Sequence, residues 1–292
     1  MRIVHAMLLL LGVACSGCTS LYFSAANLPT HWSAVRRTAG IAYGSGPRER
    51  LDVYVPSGDV ARGRPLLVFF YGGAWDSGTR GAYRFAGTAL AELGYVAVVP
   101  DYRVYPAVKF PVFLQDAARA VAWAQQHAAD YGADPHRIVL LGHSAGAHMA
   151  AMLSIDPQYL TAAGVRPADI AGFVSLSGPQ DLRPDTDELH RIFAAPYAES
   201  DWQVTARVRG RAPPALLLHG AADRRVRPGA SELLAEKLRA AGGEADLKIY
   251  PDCSHTCPVA ALSRPGRRQA PSLRDIGTFL QRISAAPAAA LP

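Results

Sequence analysis

The run Ile138-Val-Leu-Leu-Gly-His-Ser-Ala-Gly-Ala-His148 constrains the fold of this chain more than any other stretch. Four consecutive apolar residues, the length of a buried strand, lead into Gly142-x-Ser144-x-Gly146, and a small-residue helical stretch leaves it. The chain must therefore turn sharply between a strand and a helix. Side chains at the two glycines would collide with the neighbouring strand and helix. The serine between them is held in a strained geometry, with its hydroxyl above the sheet edge and a helix N-terminus beneath it. A five-residue match of this kind arises by chance often; its placement between strand and helix is what gives it weight.

The rest of the sequence supplies the sheet that such a turn needs. From about residue 50 onward, short apolar runs alternate with longer helical patterns, as in a parallel sheet covered by helices on both faces. The strands read as Leu51–Val55, Leu66–Tyr71, Val96–Pro100, Ile138–Leu141, Ile170–Ser175, Ala215–His219 and Leu247–Tyr250. Helical patterns cover Gly81–Glu92, Pro111–Tyr131, Ser144–Ser154, Gly229–Ala241 and Ser272–Ile283. The alternation predicts one doubly wound α/β domain over residues 41–284. Residues 179–214 break the rhythm and carry Phe193, Tyr197 and Trp202, which fits either a short lid-like insertion or a surface excursion with its own packing. Residues 19–40 read as a leader, and 285–292, all Ala, Pro and Leu, as a tail.

A serine hydroxyl is a weak nucleophile. It needs a general base, a carboxylate to orient that base, and donors for the oxyanion. The strand Leu66–Tyr71 ends in Gly72-Gly73-Ala74-Trp75, a small-residue loop where the N–H groups of Gly73 and Ala74, with that of Ala145, suit an oxyanion hole. Asp223 follows the strand Ala215–His219, and His255 follows Leu247–Tyr250. The competing histidines are placed less well. His143 points elsewhere by turn geometry, His148 lies a turn along the helix, and His219 reads as a satisfied interior group. Asp181 and Asp252 compete with Asp223 for the acid. Asp101 with Arg103 reads as a structural ion pair, Asp116 as a helix residue under the turn, and Trp75 and Tyr102 as either pocket lining or core.

The order Ser144, Asp223, His255 is that of the α/β-hydrolase architecture. With Leu51-Asp-Val-Tyr-Val-Pro56, Asp101-Tyr-Arg-Val-Tyr-Pro106, Phe110-Pro111, Asp116, Gly220-Ala-Ala-Asp223 and Ala260-Ala-Leu-Ser-Arg-Pro265, the chain resembles esterases of that fold from about Ile41 to Ile283. It is close to the BD-FAE family, whose domain is named for bifunctional feruloyl and acetyl-xylan esterases, and related to hormone-sensitive-lipase-like carboxylesterases. The resemblance implies a Ser144-Asp223-His255 triad transferring acyl groups from a small-molecule ester to water. The loop departs from many relatives in having Tyr71 for histidine and Ala74 for a third glycine, and the turn reads G-H-S-A-G where the lipase-like branch has G-D-S-A-G. Amide hydrolysis on the same triad and a non-catalytic, lipid-anchored binding protein are the alternatives.

The net charge of +6 is carried by scattered Arg pairs with no aromatic-interleaved basic stripe, so nucleic acid is not expected as a partner. No phosphate-binding glycine motif stands between a strand and a helix, so no nucleotide cofactor is expected either. At the N-terminus, Met7–Ala14 is apolar and too short to span a bilayer, and small residues follow it. Residues 1–18 thus read as a secretory signal that resembles a bacterial lipobox, with Cys18 preferred over Cys15 as the lipidated residue. The expected location is periplasmic, with a membrane reached only through that lipid. Oligomeric state is not legible in the sequence. Pro251-Asp-Cys-Ser-His-Thr-Cys257 places His255 between two thiols, which offers zinc three ligands at most. A base in a triad is not available to a metal, so no metal is expected. Cys253 and Cys257 then either pair in the oxidising compartment or stay as free thiols.

Overall fold

A computed structural model describes residues 21–58 and 63–285. Its centre is an eight-stranded sheet of β1 (Arg36–Ala42), β2 (Arg50–Val55), β3 (Pro65–Phe70), β4 (Val96–Pro100), β5 (Asp134–His143), β6 (Ile170–Leu176), β7 (Ala215–Gly220) and β8 (Ala245–Tyr250), in the order β1-β2-β4-β3-β5-β6-β7-β8. β1 and β2 pair antiparallel, as do β2 and β4; all later neighbours are parallel. Central strands are buried on both faces, as their unbroken apolar runs require: every residue of β3 and β7 is buried. The main helices are α1 (Arg84–Glu92), α2 (Val112–Gln126), α3 (Ala145–Ile155), α4 (Gly229–Ala240) and α5 (Ser272–Ala285). Of these, α3 is buried at nine consecutive positions from Ala145 to Leu153 and has no polar face, which fits its place against β3, β5 and β6.

The architecture is the α/β-hydrolase fold, and the strands read from the sequence are all present. The domain, however, begins earlier than residue 41. Residues 36–40 of the segment expected to be a leader form part of β1, and Arg36, Arg37 and Thr38 pair with β2. This edge strand alternates Arg, Thr and Gly with few apolar residues because most of it is exposed, so it lacks the apolar run by which a strand is recognised. Residues 21–27 are helical and Leu28–Trp32 form a 3-10 helix, both seated on the domain. The predicted signal, with Cys15 and Cys18, lies outside the described residues. Residues 179–214 carry three short helices, Asp187–Ile192, Glu199–Trp202 and Val204–Arg207, and bury Ile192, Phe193, Trp202 and Val204.

Two glycines fix the sharp turn. A Cβ on Gly142 would strike the carbonyl of Gly146, and one on Gly146 would strike the carbonyls of Phe70 and Tyr71. Both obstacles are backbone, so no side-chain rearrangement relieves them. Gly146→Ala is expected to cost about 3 kcal/mol or more, read as a fall in Tm of roughly 5–10 °C in thermal melts.

Candidate active site

Three strand ends bring the candidate residues together. Ser144 leaves β5 with φ 53° and ψ −119°, outside the regions open to most residues, and its N–H is tied to the Leu176 carbonyl of β6 at 2.9 Å. Asp223 follows β7 and His255 follows β8. The two loops are locked to each other where Gly220 meets the backbone of Cys253, too closely for a Cβ, and where the Ala222 N–H donates to the Cys253 carbonyl at 3.1 Å.

His255 stands between the other two, with Nε2 at 2.9 Å from Ser144 Oγ and Nδ1 at 2.8 Å from Asp223 Oδ2. A carboxylate accepts only, so Nδ1 carries the hydrogen and Nε2 offers its lone pair to the hydroxyl. Asp223 is saturated. Oδ1 accepts from the N–H groups of Arg225 and Val226, both at 2.9 Å, and Oδ2 is shared by His255 and His219 Nε2, the latter at 3.1 Å. Burial pushes the Asp223 carboxyl up, but the hydrogen bonds from His219, His255 and Val226 outweigh it and hold the group well below the usual carboxylate range.

His219 thus has a role that its sequence position hid. It is fully buried, as expected of an interior group, but its partners are Asp223, the Val226 carbonyl at 2.9 Å and Ser231 Oγ at 2.8 Å. Nε2 faces two acceptors and so carries the hydrogen. The signal available in the sequence was the i, i+4 spacing of His219 and Asp223 around the end of a strand.

In the loop expected to supply the oxyanion donors, Gly73 has φ 145°, and a Cβ there would strike the Ser77 carbonyl. Ala74 and Trp75 follow with φ 48° and 61°. Among the described residues, the N–H groups of Gly73, Ala74 and Ala145 donate to no protein acceptor. The loop is held from behind. Tyr71 stacks on Tyr102 at 4.7 Å and donates its hydroxyl to Asp101, while Arg48 binds the Tyr71 hydroxyl and the Gly78 and Tyr102 carbonyls. The predicted Asp101–Arg103 pair does not form. Asp101 pairs with Arg80, and Arg103 with Asp116, because Arg103 turns toward α2 just past the end of β4. Tyr102 is core packing. Trp75 is buried against Phe113, His148 and Phe193, which joins the Gly73–Trp75 loop to the insertion. Asp181 binds Thr205 within the insertion.

Two further histidines are buried nearby. His143 Nε2 donates to the His255 carbonyl at 3.2 Å, and its Nδ1 accepts from the Tyr83 hydroxyl at 3.2 Å. His148 Nε2 donates to the Trp202 carbonyl at 2.6 Å. Burial, aided by the neighbouring His255, pushes His143 down to about 3; burial pushes His148 down to about 4 against its bond to Trp202. Unfolded histidines take up protons near pH 6.5. Below that pH the unfolded chain binds protons that the folded one does not, so stability present above about pH 6.5 is lost on acidification toward pH 4 and 3. Melts from about pH 7 to about pH 4.5 should show a loss approaching 1.4 kcal/mol per pH unit for each of the two rings.

Cys253 and Cys257 are joined in a disulfide with Cα atoms 5.4 Å apart, so the two thiols flanking His255 bind each other.

Known proteins with this architecture carry related names. The chain is 30% identical over 244 residues to the isoprenylcysteine alpha-carbonyl methylesterase ICME of Arabidopsis thaliana, covering 76% of this chain and 56% of that protein. It is 31% identical over 264 residues to esterase LipQ of Mycobacterium tuberculosis, covering 82% and 62%. The chain therefore spans between a half and two thirds of the length of these curated relatives. The apo form of Thermogutta terrifontis esterase 2 superimposes with a TM-score of 0.71 at 26% identity, covering 87% of this chain and 96% of that one. The same esterase has been solved phosphorylated by paraoxon. Residues 51–238, more than half of the sequence, match BD-FAE, and the chain belongs to the BD-FAE family.

Proposed function

We propose that the protein is a serine carboxylesterase that hydrolyses small-molecule esters through an acyl-enzyme. The observation that carries this reading is His255, with one ring nitrogen on Ser144 Oγ at 2.9 Å and the other on Asp223 at 2.8 Å. Ser144 Oγ attacks the ester carbonyl carbon while His255 Nε2 takes its proton, and Asp223 holds the ring and its developing charge. The carbonyl oxygen, now an anion, is met by the N–H groups of Gly73, Ala74 and Ala145. The tetrahedral species collapses, the C–O bond to the alcohol breaks, and His255 returns the proton to the leaving oxygen. A water activated by the same ring then attacks the acyl-serine, releasing the acid and restoring the Ser144 hydroxyl. The names of the relatives and the organophosphate adduct of the Thermogutta terrifontis esterase support this chemistry.

The protein is exported to the periplasm and held at a bacterial membrane by lipid on Cys18, a reading supported by the apolar run Met7–Ala14 and the small residues after it. A panel of p-nitrophenyl acetate, butyrate and octanoate beside an acyl anilide tests the activity. Turnover of the esters with a far slower anilide is the expected result. Faster anilide cleavage would turn the assignment to an amidase, and flat baselines throughout would overturn catalysis.

A further inference from the structure

Among the described residues the exposed large apolar side chains are Leu21, Leu28, Trp32 and Tyr197, and the first three belong to the one segment that precedes β1. They are 72%, 56% and 74% exposed, yet the segment bearing them is firmly seated. Ala26 is buried and Phe23 packs on Tyr83 at 5.1 Å. The Asn27 side chain accepts from the Phe85 N–H at 2.9 Å and donates to the carbonyls of Gly81 and Ala82 at 3.2 and 2.9 Å. An anchored element that displays leucine and tryptophan to water pays a solvation cost that a covering surface would remove.

The surroundings of that display are cationic. Arg84 lies beside His31, with Nη1 3.3 Å from Nε2, and has no acidic partner among the described residues. On the other flank Arg264 and Arg267 line a cleft with Pro29 and Thr30 and share the single carboxylate of Glu92. An apolar tip with a tryptophan, bordered by arginines, matches the interface of an anionic bilayer: the ring sits at headgroup depth, the leucines lie below it and the guanidinium groups meet phosphates. Chain length points the same way. Leu21 is three residues after Cys18, so an extended backbone carries it no further than roughly 10 Å from a lipid on that cysteine.

We infer that the Leu21–Trp32 segment is a membrane-docking face that lies on anionic lipid. This deepens the anchoring reading above and rests on it. The face is also coupled to the site: Phe23 packs on Tyr83, whose hydroxyl bonds His143, which in turn holds the His255 carbonyl. Docking therefore bears on the packed side chains that hold the His255 backbone.

The test uses full-length protein purified from the membranes of an export-competent host and reconstituted into vesicles of phosphatidylethanolamine and phosphatidylglycerol with brominated acyl chains. Bromolipid should quench a component of tryptophan emission that is missing in Trp32→Phe, since Trp75 and Trp202 are buried and the half-buried Trp123 stacks on His127. With Cys18→Ser, Leu21→Gln together with Leu28→Gln should weaken vesicle binding by roughly tenfold or more, while p-nitrophenyl acetate turnover in solution stays unchanged. Equal quenching in wild type and Trp32→Phe overturns the docking face. The mass of the amino-terminal peptide reports lipidation separately. Lipid present without Trp32 quenching sinks docking alone, and quenching without lipid sinks the anchor alone. Concentration-dependent dimers lost in Trp32→Gln, without vesicle quenching, would assign the face to a second copy and overturn the lipid.

Discussion

Replacing Ser144 by alanine is expected to lower turnover of p-nitrophenyl acetate by about 10⁴- to 10⁶-fold and to abolish labelling by a fluorophosphonate probe. The hydroxyl is the only atom at the turn that bonds His255 Nε2, so its removal takes away both the nucleophile and the proton that the base accepts. The residual rate is set by whatever the N–H groups of Gly73, Ala74 and Ala145 still do for a bound ester attacked by water. The fold should not register the change. The N–H of residue 144 keeps its bond to Leu176, the glycines on either side are untouched, and alanine meets the same positive φ that serine does. A melting temperature near that of the wild type combined with loss of turnover is therefore the expected pair of results. Persistent labelling, or a rate within tenfold of the wild type, would remove Ser144 from the mechanism.

The second large effect is expected for Asp223→Asn, a loss of about 10⁴ in kcat/KM. In a simple triad an asparagine keeps the geometry and favours the wrong imidazole tautomer. Here the environment is harsher. Both oxygens of Asp223 face donors, Oδ1 the N–H groups of Arg225 and Val226, Oδ2 those of His255 and His219. An amide nitrogen meets a donor whichever way the side chain is flipped. The variant should therefore also lose on the order of 1–3 kcal/mol of stability, seen as a lower Tm, because a buried donor is left without an acceptor. A variant that melts like the wild type while losing activity would show that one of the two histidine contacts yields without cost.

The parts of this site that were legible in the sequence are those governed by chain continuity. Gly142 and Gly146 are required by backbone contacts a few residues away, and Asp223 and His255 stand directly after apolar runs whose strand identity is plain. What was hidden depends on contacts across the fold. β1 could not be recognised because an exposed edge strand needs no apolar face, and Arg36 and Arg37 look like surface in any conformation. The partner of Arg103 is set by where α2 packs against the end of β4, so the nearer Asp101 was a misleading choice. Its place on an apolar strand marks His219 as buried and satisfied, but only the three-dimensional turn after β7 shows that its satisfaction comes from Asp223.

The disulfide across His255 closes a ring of only five residues. A loop that short removes little freedom from the unfolded chain, so the cross-link is worth only about 2 kcal/mol by loop closure. Its larger effect is on precision. The imidazole projects from the middle of a covalent ring whose two sulfurs are buried and whose Cys253 carbonyl is clasped by the loop of the acid. Alignment of His255 between Ser144 and Asp223 is thus partly a matter of covalent chemistry completed after translation, and a chain folded without that bond would hold its shape before it held its aim.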